Sequence, residues 1–237
     1  LSNSTGSKSI PLTGSKFRSD DEGVSITVTL TELQRADAVH LSNTPGGDGT
    51  AIVLDIDTDG LRDRARNPCL NSFGLPVVEH ADIILPNITG SRIYLDNGTL
   101  IVYFSEYIDV TPRSYVNLSK IILRNISQND DASIPLTGAT IIRDDYTHML
   151  IALTEAQRVT AVEISSQPGG DSTNILLDVF AGAIRDRAQN FNTNQFGIVV
   201  SEYPDTVPPV LTSVKLFFSD GVLQINGTEY IDATPGS

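Results

Sequence analysis

The sequence contains two copies of one pattern, and the copies of its L-T-E motif begin at residues 30 and 153, 123 residues apart. Five motifs recur in the same order at nearly this spacing. They are SIPLTG at 9–14 and 133–138, LTELQR at 30–35 and LTEAQR at 153–158, PGGD at 45–48 and 168–171, LRDRARN at 61–67 and IRDRAQN at 184–190, and SFG at 72–74 and QFG at 195–197. A register kept over about a hundred positions is typical of duplicated structural units.

A third, partial copy lies near the end of the sequence. GTLIVYFSEYIDVTP at 98–112 returns as GVLQINGTEYIDATP at 221–235. By the same register, residues 209–237 copy the first two strands of the unit at 86–207. We therefore predict a repeat at 1–85 that lacks its opening strands, a complete repeat at 86–207, and the opening strands of a further repeat at 208–237.

Comparison of the copies predicts which face of each strand is packed. Positions 26, 28 and 30 are apolar and so are positions 149, 151 and 153, whereas the positions between them vary in polarity. This period of two is that of a β-strand with one face in the core. Leu100 and Val102 follow the same rule, as do Leu223 and Ile225. The predicted fold class is all-β, with tandem sandwiches.

One short helix is expected in each copy. Thr31 with Gln34, and Thr154 with Gln157, have the spacing of a capping box ahead of the stretches LQRADAVHL and AQRVTAVEI. In a capping box the first side chain accepts from the third helical N–H, and the third side chain reaches back to the cap. Each repeat is therefore predicted to hold a single helix that ends near a Pro-Gly-Gly turn.

Composition argues against a nucleic-acid partner and against a membrane span. The net charge of −13 makes nucleic acid an unexpected partner, because phosphate binding needs clustered Lys and Arg. No apolar run approaches the roughly 18 residues of a membrane span, and no signal peptide is recognisable. The sequence begins with Leu, so we expect a processed chain or a segment of a longer one. Cys69 is the single cysteine, so no internal disulfide is expected.

The order F-S-E-Y-I-D, L-T-E-x-Q-R, R-D-x-A-x-N, followed by the linker PDTVPP at 204–209, resembles bacterial-type immunoglobulin-like repeats. Such repeats occur in tandem in surface-layer proteins, adhesins and extracellular fibril proteins. The resemblance implies immunoglobulin-like β-sandwiches used as spacers and scaffolds. Where the family has Gly in its D-x-A-G-N turn, this sequence has Arg66 and Gln189, which leaves the conformation of that turn open.

The missing opening strands suggest how the units join. Omitting a hairpin with four or five inward apolar side chains removes about 6–15 kcal/mol, which is comparable with the stability of a whole domain. One hypothesis is that residues 209–237 of one subunit complete the first repeat of the next by strand donation. The other is a continuous covalent array. The residues expected to mediate assembly are Leu216, Val222, Leu223, Ile225, Tyr230 and Ile231.

Sequons for N-linked glycosylation occur at six positions. The pattern Asn-x-Ser/Thr places the acceptors in surface loops of a secreted protein, so N-linked glycans are expected. In a fibril, such sugars would cover exposed strand edges. The six are Asn3, Asn87, Asn97, Asn117, Asn125 and Asn226.

Acidic residues repeat in register and raise the question of a calcium site. Hard cations bind several oxygens at about 2.3–2.6 Å, and carboxylates at domain ends can supply them. The alternative is that these carboxylates cap turns or pair with the Arg residues of the R-D-R turns. The candidate ligands are Glu106, Asp109, Asp63, Asp186, Glu229 and Asp232.

No catalytic motif is recognisable, so the sequence does not favour an enzyme. It contains no G-x-S-x-G elbow, P-loop or H-E-x-x-H motif. The function that it favours is a structural subunit of an extracellular or cell-surface fibril, which associates with itself head to tail. The alternative is an adhesin or stalk that presents binding loops to a glycan or protein.

Overall fold

The computed structural model describes residues 1–18, 23–125, 133–144 and 147–231. The described residues are mostly β, with 36% in strands and 11% in helices. Sequon-bearing Asn125 is the last described residue before a gap, and Asp232 lies outside the described residues.

The strands are short, from two to nine residues. Their bounds are β1 (Ser2–Asn3), β2 (Lys16–Phe17), β3 (Val28–Thr29), β4 (Ile52–Ile56), β5 (Ser72–Pro76), β6 (Ile88–Tyr94), β7 (Thr99–Phe104), β8 (Ile121–Asn125), β9 (Ile134–Pro135), β10 (Thr140–Asp144), β11 (His148–Ala152), β12 (Ile175–Val179), β13 (Gln195–Tyr203), β14 (Leu211–Phe217) and β15 (Val222–Gly227). The helices are α1 (Glu32–His40) and α2 (Glu155–Glu163), with 3₁₀ turns at Arg113–Tyr115 and Leu118–Lys120.

Contacts divide the chain into two compact units, each assembled from separate stretches. Unit 1 comprises Leu1–Asn87, Phe104–Val116 and Ile184–Thr193, and unit 2 comprises Ile88–Tyr103, Asn117–Ala183 and Asn194–Ser237. The segment boundaries expected at 85/86 and 207/208 stay predictions, because a compact unit need not coincide with a sequence repeat.

Unit 1 has small sheets and a small core. Strands β1, β4 and β5 form a three-stranded sheet, and β2 pairs with β3. Ile10, Leu41 and Ile52 form a buried cluster, against which Leu1 and Val77 pack. Strand β4 is only partly covered, since Ile52 is buried and its other residues are half-buried or exposed. Within the described residues, the sheet of unit 1 therefore leaves much of its apolar face without a covering layer.

Unit 2 is built on one curled sheet of eight strands in the order β10-β11-β7-β6-β13-β12-β8-β9. The hairpin of β6 and β7 lies at its centre, with β7 antiparallel to β11 and β6 parallel to β13. Burial alternates along β7, so that Leu100 and Val102 point into the core as predicted. Strand β12 is buried along most of its length. The buried face of this sheet forms the core of unit 2.

A second hairpin, β14 with β15, has the same pairing but stands apart as a two-stranded sheet of unit 2. Every residue of β14 is exposed, as are the first four residues of β15. An isolated two-stranded hairpin is only marginally stable in water. This hairpin therefore carries an apolar face that no third strand covers within the described residues.

Both predicted helices are confirmed, with both capping boxes formed. The Thr31 and Thr154 side chains accept from the backbone N–H of Gln34 and Gln157, whose side chains accept from the cap N–H groups in return. Gln157 also donates to the carbonyl of Pro135, and Gln34 donates to the equivalent carbonyl in unit 1. The amides of these buried glutamines thus tie each helix to a preceding loop. Each helix has nine residues. Among the described residues, no helix is long and apolar enough to cross a membrane.

The R-D-x-A-x-N turns keep the backbone that a glycine would adopt. Arg66 has φ 69° and Gln189 has φ 70°, both in the left-handed region. Side chains other than glycine adopt it at a cost on the order of 1 kcal/mol. Asn67 and Asn190 offset part of this cost, because each donates to the aspartate that opens its turn.

Candidate functional site

Unit 1 contains a cavity of ≈ 580 Å³ beside its partly covered sheet. This volume lies in the range of ligand pockets, and also of a groove that takes a few side chains. Its apolar wall is formed by Leu1, Leu30, Ala38, Val39, Ile52, Val77, Val78 and Ile84. An apolar wall of this kind is expected to bind another apolar surface.

The polar end of the cavity is organised by Arg35 on α1. Its guanidinium pairs with Glu32 at 2.6 Å, with Glu106 at 2.8 Å and with Asp82. The hydrogen bond to Glu32 raises the pKa of Arg35 most, and burial opposes it. Arg35 thus joins helix α1 to the segments that carry Asp82 and Glu106.

The same network occurs in unit 2 around Arg158. Its guanidinium pairs with Glu155 at 2.7 Å, with Asp205 at 2.6 Å and with Glu229 at 3.0 Å. It also donates to the carbonyl of Leu95, which directly follows β6, at 2.9 Å. That fourth bond comes from the hairpin that lies in the unit 2 sheet.

The two arginines differ in exposure because only one of them lies under a hairpin. The side chain of Arg158 is 8% exposed and that of Arg35 is 34% exposed. The turn between β6 and β7 packs on Arg158 so closely that a Cβ atom added to Gly98 would lie 3.5 Å from the stem of the arginine. Unit 1 offers Arg35 no such cover within its described residues.

Apolar side chains on the strands of unit 1 also lack the cover that their equivalents have in unit 2. Ile26 is 51% exposed, whereas its equivalent Met149 is 1% exposed. Phe17 is exposed, whereas its equivalent Ile141 is buried. Met149 is buried because it pairs with Val102 of β7. The predicted inward face of the first repeat is therefore correct in pattern but not covered in the structure.

The hairpin of β14 and β15 exposes apolar side chains whose equivalents in unit 2 are buried. Leu223 is 55% exposed, whereas its equivalent Leu100 is 0% exposed. Leu216 and Ile225 are likewise exposed, although their equivalents in β6 and β7 are buried. Of the assembly residues predicted from sequence, all six are exposed: Leu216, Val222, Leu223, Ile225, Tyr230 and Ile231.

The six sequons fall into two groups. Asn87, Asn97 and Asn117 are exposed, and Asn226 is half-buried with its amide donating to Ser213 at 2.8 Å. Asn3 and Asn125 are buried, and their amides donate to Ser7 and Asp171. A glycan on the asparagine amide is bulky and lies at the protein surface, so the exposed asparagines accommodate it better than the buried ones.

The acidic residues considered as metal ligands are mostly apart. Asp109 pairs with Arg185 at 2.7 Å, Glu229 pairs with Arg158, and Asp63 is exposed and accepts from Asn67. Asp232 lies outside the described residues. The contacts of Asp109 and Asp63 are the ion-pair and turn roles that the sequence left open as the alternative, whereas Glu229 pairs with an arginine of the L-T-E-x-Q-R motif.

Glu106 and Asp186, by contrast, come together with Asp82. One carboxylate oxygen from each lies within 4.8 Å of the others. Burial raises the pKa of Glu106 to about 7, and burial also raises the pKa of Asp186. Asp82 was not predicted as a member from the sequence, although its register with Asp205 was a signal. Arg35 and Arg158 were not predicted either, and their signal was the repeated L-T-E-x-Q-R motif.

No family model, no curated protein and no solved structure matches the chain. The geometry of the cavity, the hairpin and the arginine networks is therefore the basis for the function.

Proposed function

We propose that the chain is a structural subunit of an extracellular, glycosylated fibril or surface appendage. In this proposal tandem immunoglobulin-like sandwiches associate head to tail, and the hairpin of β14 and β15 from one copy fills the groove of unit 1 in a second copy. The carrying observation is complementarity. Unit 1 exposes the positions that a hairpin covers in unit 2, and the chain holds an exposed hairpin of matching sequence.

The position of β6 and β7 in unit 2 supplies the expected register. Val200 of β13 pairs with Ser91 of β6, and Ile151 of β11 pairs with Leu100 of β7. Shifting both partners by the repeat spacing gives the intermolecular pairs. They are Val77 with Val214, Glu79 with Leu216, Ile26 with Ile225, Val28 with Leu223, and Thr29 with Val222.

Three hydrogen bonds within unit 2 have equivalents that would form between unit 1 and the hairpin of a second copy. In unit 2, Leu153 N donates to Gly98 O, and Arg158 donates to Leu95 O. The equivalent bonds join Leu30 N to Gly221 O, and Arg35 to Phe218 O of a second copy. A third bond, from Leu95 N to Tyr203 O, has its equivalent between Phe218 N and His80 O. Docking would thus cover the exposed flank of Arg35.

The same docking explains why β5 is shorter than its equivalent. Strand β13 runs for nine residues and pairs with β6 through its last four. Strand β5 has five residues and ends at Pro76, and no strand follows it at Val77 to His80. Val77 N donates to Ile52 O of β4 at 3.2 Å, but within the described residues no strand pairs with these four residues on their other side. A donated β14 would supply that strand by strand addition.

Burial drives the association. Covering Leu211, Leu216, Leu223 and Ile225 would contribute about 6–12 kcal/mol at about 1.5–3 kcal/mol for each side chain. The loss of translational and rotational freedom opposes this gain. The contact joins two different surfaces of identical molecules, so it builds an open filament unless the rotation between successive subunits closes a ring.

Engineered disulfides between chains test the register directly. In a Cys69→Ser background, Val28→Cys combined with Leu223→Cys places two thiols on paired positions. Paired Cα atoms in an antiparallel ladder are about 4.5–5.5 Å apart, which suits a disulfide. Mild oxidation is expected to give a ladder of covalent oligomers on non-reducing electrophoresis.

The matched control is Thr29→Cys with Leu223→Cys, which shifts one position and turns the thiol to the other face of the strand. It should give little cross-linking. A Val28/Leu223 pair that cross-links no better than this control contradicts the proposal. So does a full chain that stays monomeric by light scattering across concentration. That outcome favours a covalent array in which a preceding hairpin fills unit 1.

The alternative function is an adhesin or stalk, and the cavity of unit 1 favours it by its volume and its mixed lining. Binding of a glycan or peptide to a monomeric chain, lost on replacing Arg35 with Met, would support this function. Unchanged binding by a chain whose groove is already filled by a donated hairpin would contradict it.

A further inference from the structure

We propose that Asp82, Glu106 and Asp186 of unit 1 form a binding site for a hard divalent cation, and that calcium occupies it. This site does not depend on strand donation. Asp82 lies in the segment after β5, Glu106 in the F-S-E-Y-I-D motif, and Asp186 in the R-D-x-A-x-N turn. Three separate stretches of the chain therefore each supply one carboxylate.

Backbone contacts hold these stretches together. Ile108 and Asp186 form an antiparallel bridge, and Asp109 N donates to Arg185 O at 2.9 Å. The side-chain amide of Asn190 donates to the backbone carbonyl of Asp82 at 3.0 Å, which joins the turn to the stretch that carries Asp82. The carboxylates are thus positioned by the fold and not by flexible side chains on an open surface.

Glu106 gives the independent sign of a ligand. The residue is 4% exposed, and its Oε2 accepts from Arg35 at 2.8 Å. Its Oε1 is buried without a hydrogen-bond partner in the described residues. A buried carboxylate oxygen without a donor costs free energy that a bound cation would recover.

The spacing fits calcium. Calcium binds oxygens at about 2.3–2.6 Å, so ligand oxygens on opposite sides of the ion lie about 5 Å apart. The three carboxylate oxygens lie within 4.8 Å of one another. When ionised, three carboxylates face one guanidinium, and Arg35 also serves Glu32. With Glu32 counted, four carboxylates face one guanidinium, so a divalent cation would balance two of the three negative charges that remain.

The cavity of unit 1 gives the ion a route. Asp82 and Glu106 line it, whereas Asp186 is buried behind them. The cavity therefore leads from solvent to the residues that carry two of the three ligands. Waters would complete the six to eight oxygens that calcium binds.

The chain supplies two matched controls. Asp63 opens the equivalent R-D-x-A-x-N turn and makes the same bonds to its asparagine, but it is exposed. Glu229 occupies the equivalent F-S-E-Y-I-D position and pairs with Arg158. Among the described residues it belongs to no group of three carboxylates whose oxygens lie as close together as those of Asp82, Glu106 and Asp186. Each control keeps the local motif and lacks the cluster.

The test is calcium titration of the metal-free full chain by calorimetry, with terbium as a luminescent probe excited through neighbouring Tyr107. Wild type is expected to bind with a dissociation constant of about 10⁻⁴–10⁻³ M, as extracellular calcium modules do. Glu106→Gln and Asp186→Asn should weaken binding roughly tenfold or more. Asp63→Asn and Glu229→Gln should leave it unchanged.

Failure of wild type to bind calcium at about 10 mM, well above that range, overturns the proposal. Equal binding by wild type and Glu106→Gln overturns the assignment of the site. Circular dichroism checks that each variant folds, and Asp82→Asn replaces any variant that does not. A preference for magnesium over calcium at equal concentration overturns calcium as the ligand.

Discussion

Arg158 and Arg35 occupy equivalent positions of one motif but differ in burial and in the number of hydrogen bonds that they donate. Both bind the glutamate three residues earlier on their helix, and both reach two further carboxylates. Only Arg158 also donates to a hairpin carbonyl and is buried. A buried guanidinium among carboxylates is costly to remove, because the carboxylates then remain buried and unpaired.

Arg158→Met is therefore expected to destabilise unit 2 by about 3–5 kcal/mol at pH 7. Arg35→Met, the matched control, should cost less, because Arg35 is more exposed. Denaturant unfolding followed by circular dichroism measures both, since the chain has no Trp to serve as a fluorescence probe. Equal losses for the two variants would contradict the difference in burial.

The pH dependence of this loss has a defined sign. The hydrogen bond from Arg158 holds the pKa of Glu155 below its ordinary value of 4.5. A depressed carboxyl pKa contributes stability above the unfolded value, and that stability is lost as the pH falls through the folded value. The difference in free energy of unfolding between wild type and Arg158→Met should become smaller as the pH falls below 4.5. A difference that grows in acid would contradict this assignment.

At the scale of elements, the two hairpins contrast most clearly. Strands β6 and β7 lie inside an eight-stranded sheet, whereas β14 and β15 stand as a two-stranded sheet. Their sequences share the inward apolar pattern, so their difference is one of surroundings. Equivalent substitutions should therefore have different consequences in the two hairpins.

Leu100→Asp is expected to unfold unit 2, because it places an unpaired carboxylate in the core at a cost above about 4 kcal/mol. Leu223→Asp should leave the circular dichroism spectrum unchanged and abolish association in size-exclusion chromatography. Gln224→Asp adds the same charge to the outward face of β15 and serves as the control. Polymer formation by Leu223→Asp chains would show that this hairpin is not the joint.

The whole molecule carries one donor hairpin and one acceptor groove in the proposed function. A polymer built from such subunits has a free groove at one end and a free hairpin at the other. Its length depends on how often an added subunit can be followed by another. A subunit that accepts without donating would stop growth.

A chain that lacks residues 209–237 is expected to act as such a terminator. Mixed with the intact chain, it should shorten filaments in electron micrographs in proportion to its molar share. The same deletion combined with Ile26→Asp, which places a charge in the groove, is the control and should be inert. Filaments of unchanged length in the first mixture would exclude growth by hairpin donation.

The sequence predicted what depends on short-range spacing. Alternation marked the inward face of β7, and the Thr-x-x-Gln spacing placed both helices with their capping boxes. The register of the repeats marked the hairpin whose apolar face is exposed. The alternation and the capping boxes follow from interactions between residues a few positions apart, and the hairpin follows from comparison of the copies, so the pattern of residue types records all of them.

The tertiary structure decided what covers each surface and which charges meet. Arg35 reaches Asp82 and Glu106 across 47 and 71 positions, and no periodicity encodes such contacts. Asp63 and Asp186 open equivalent turns, yet one is exposed and the other buried beside two carboxylates. Ile26 and Met149 fit the same apolar pattern, but only Met149 has a strand against it. The burial of a residue depends on which segments, distant in sequence, pack against it. The repeated sequence therefore determined the local elements of each unit but not their surroundings.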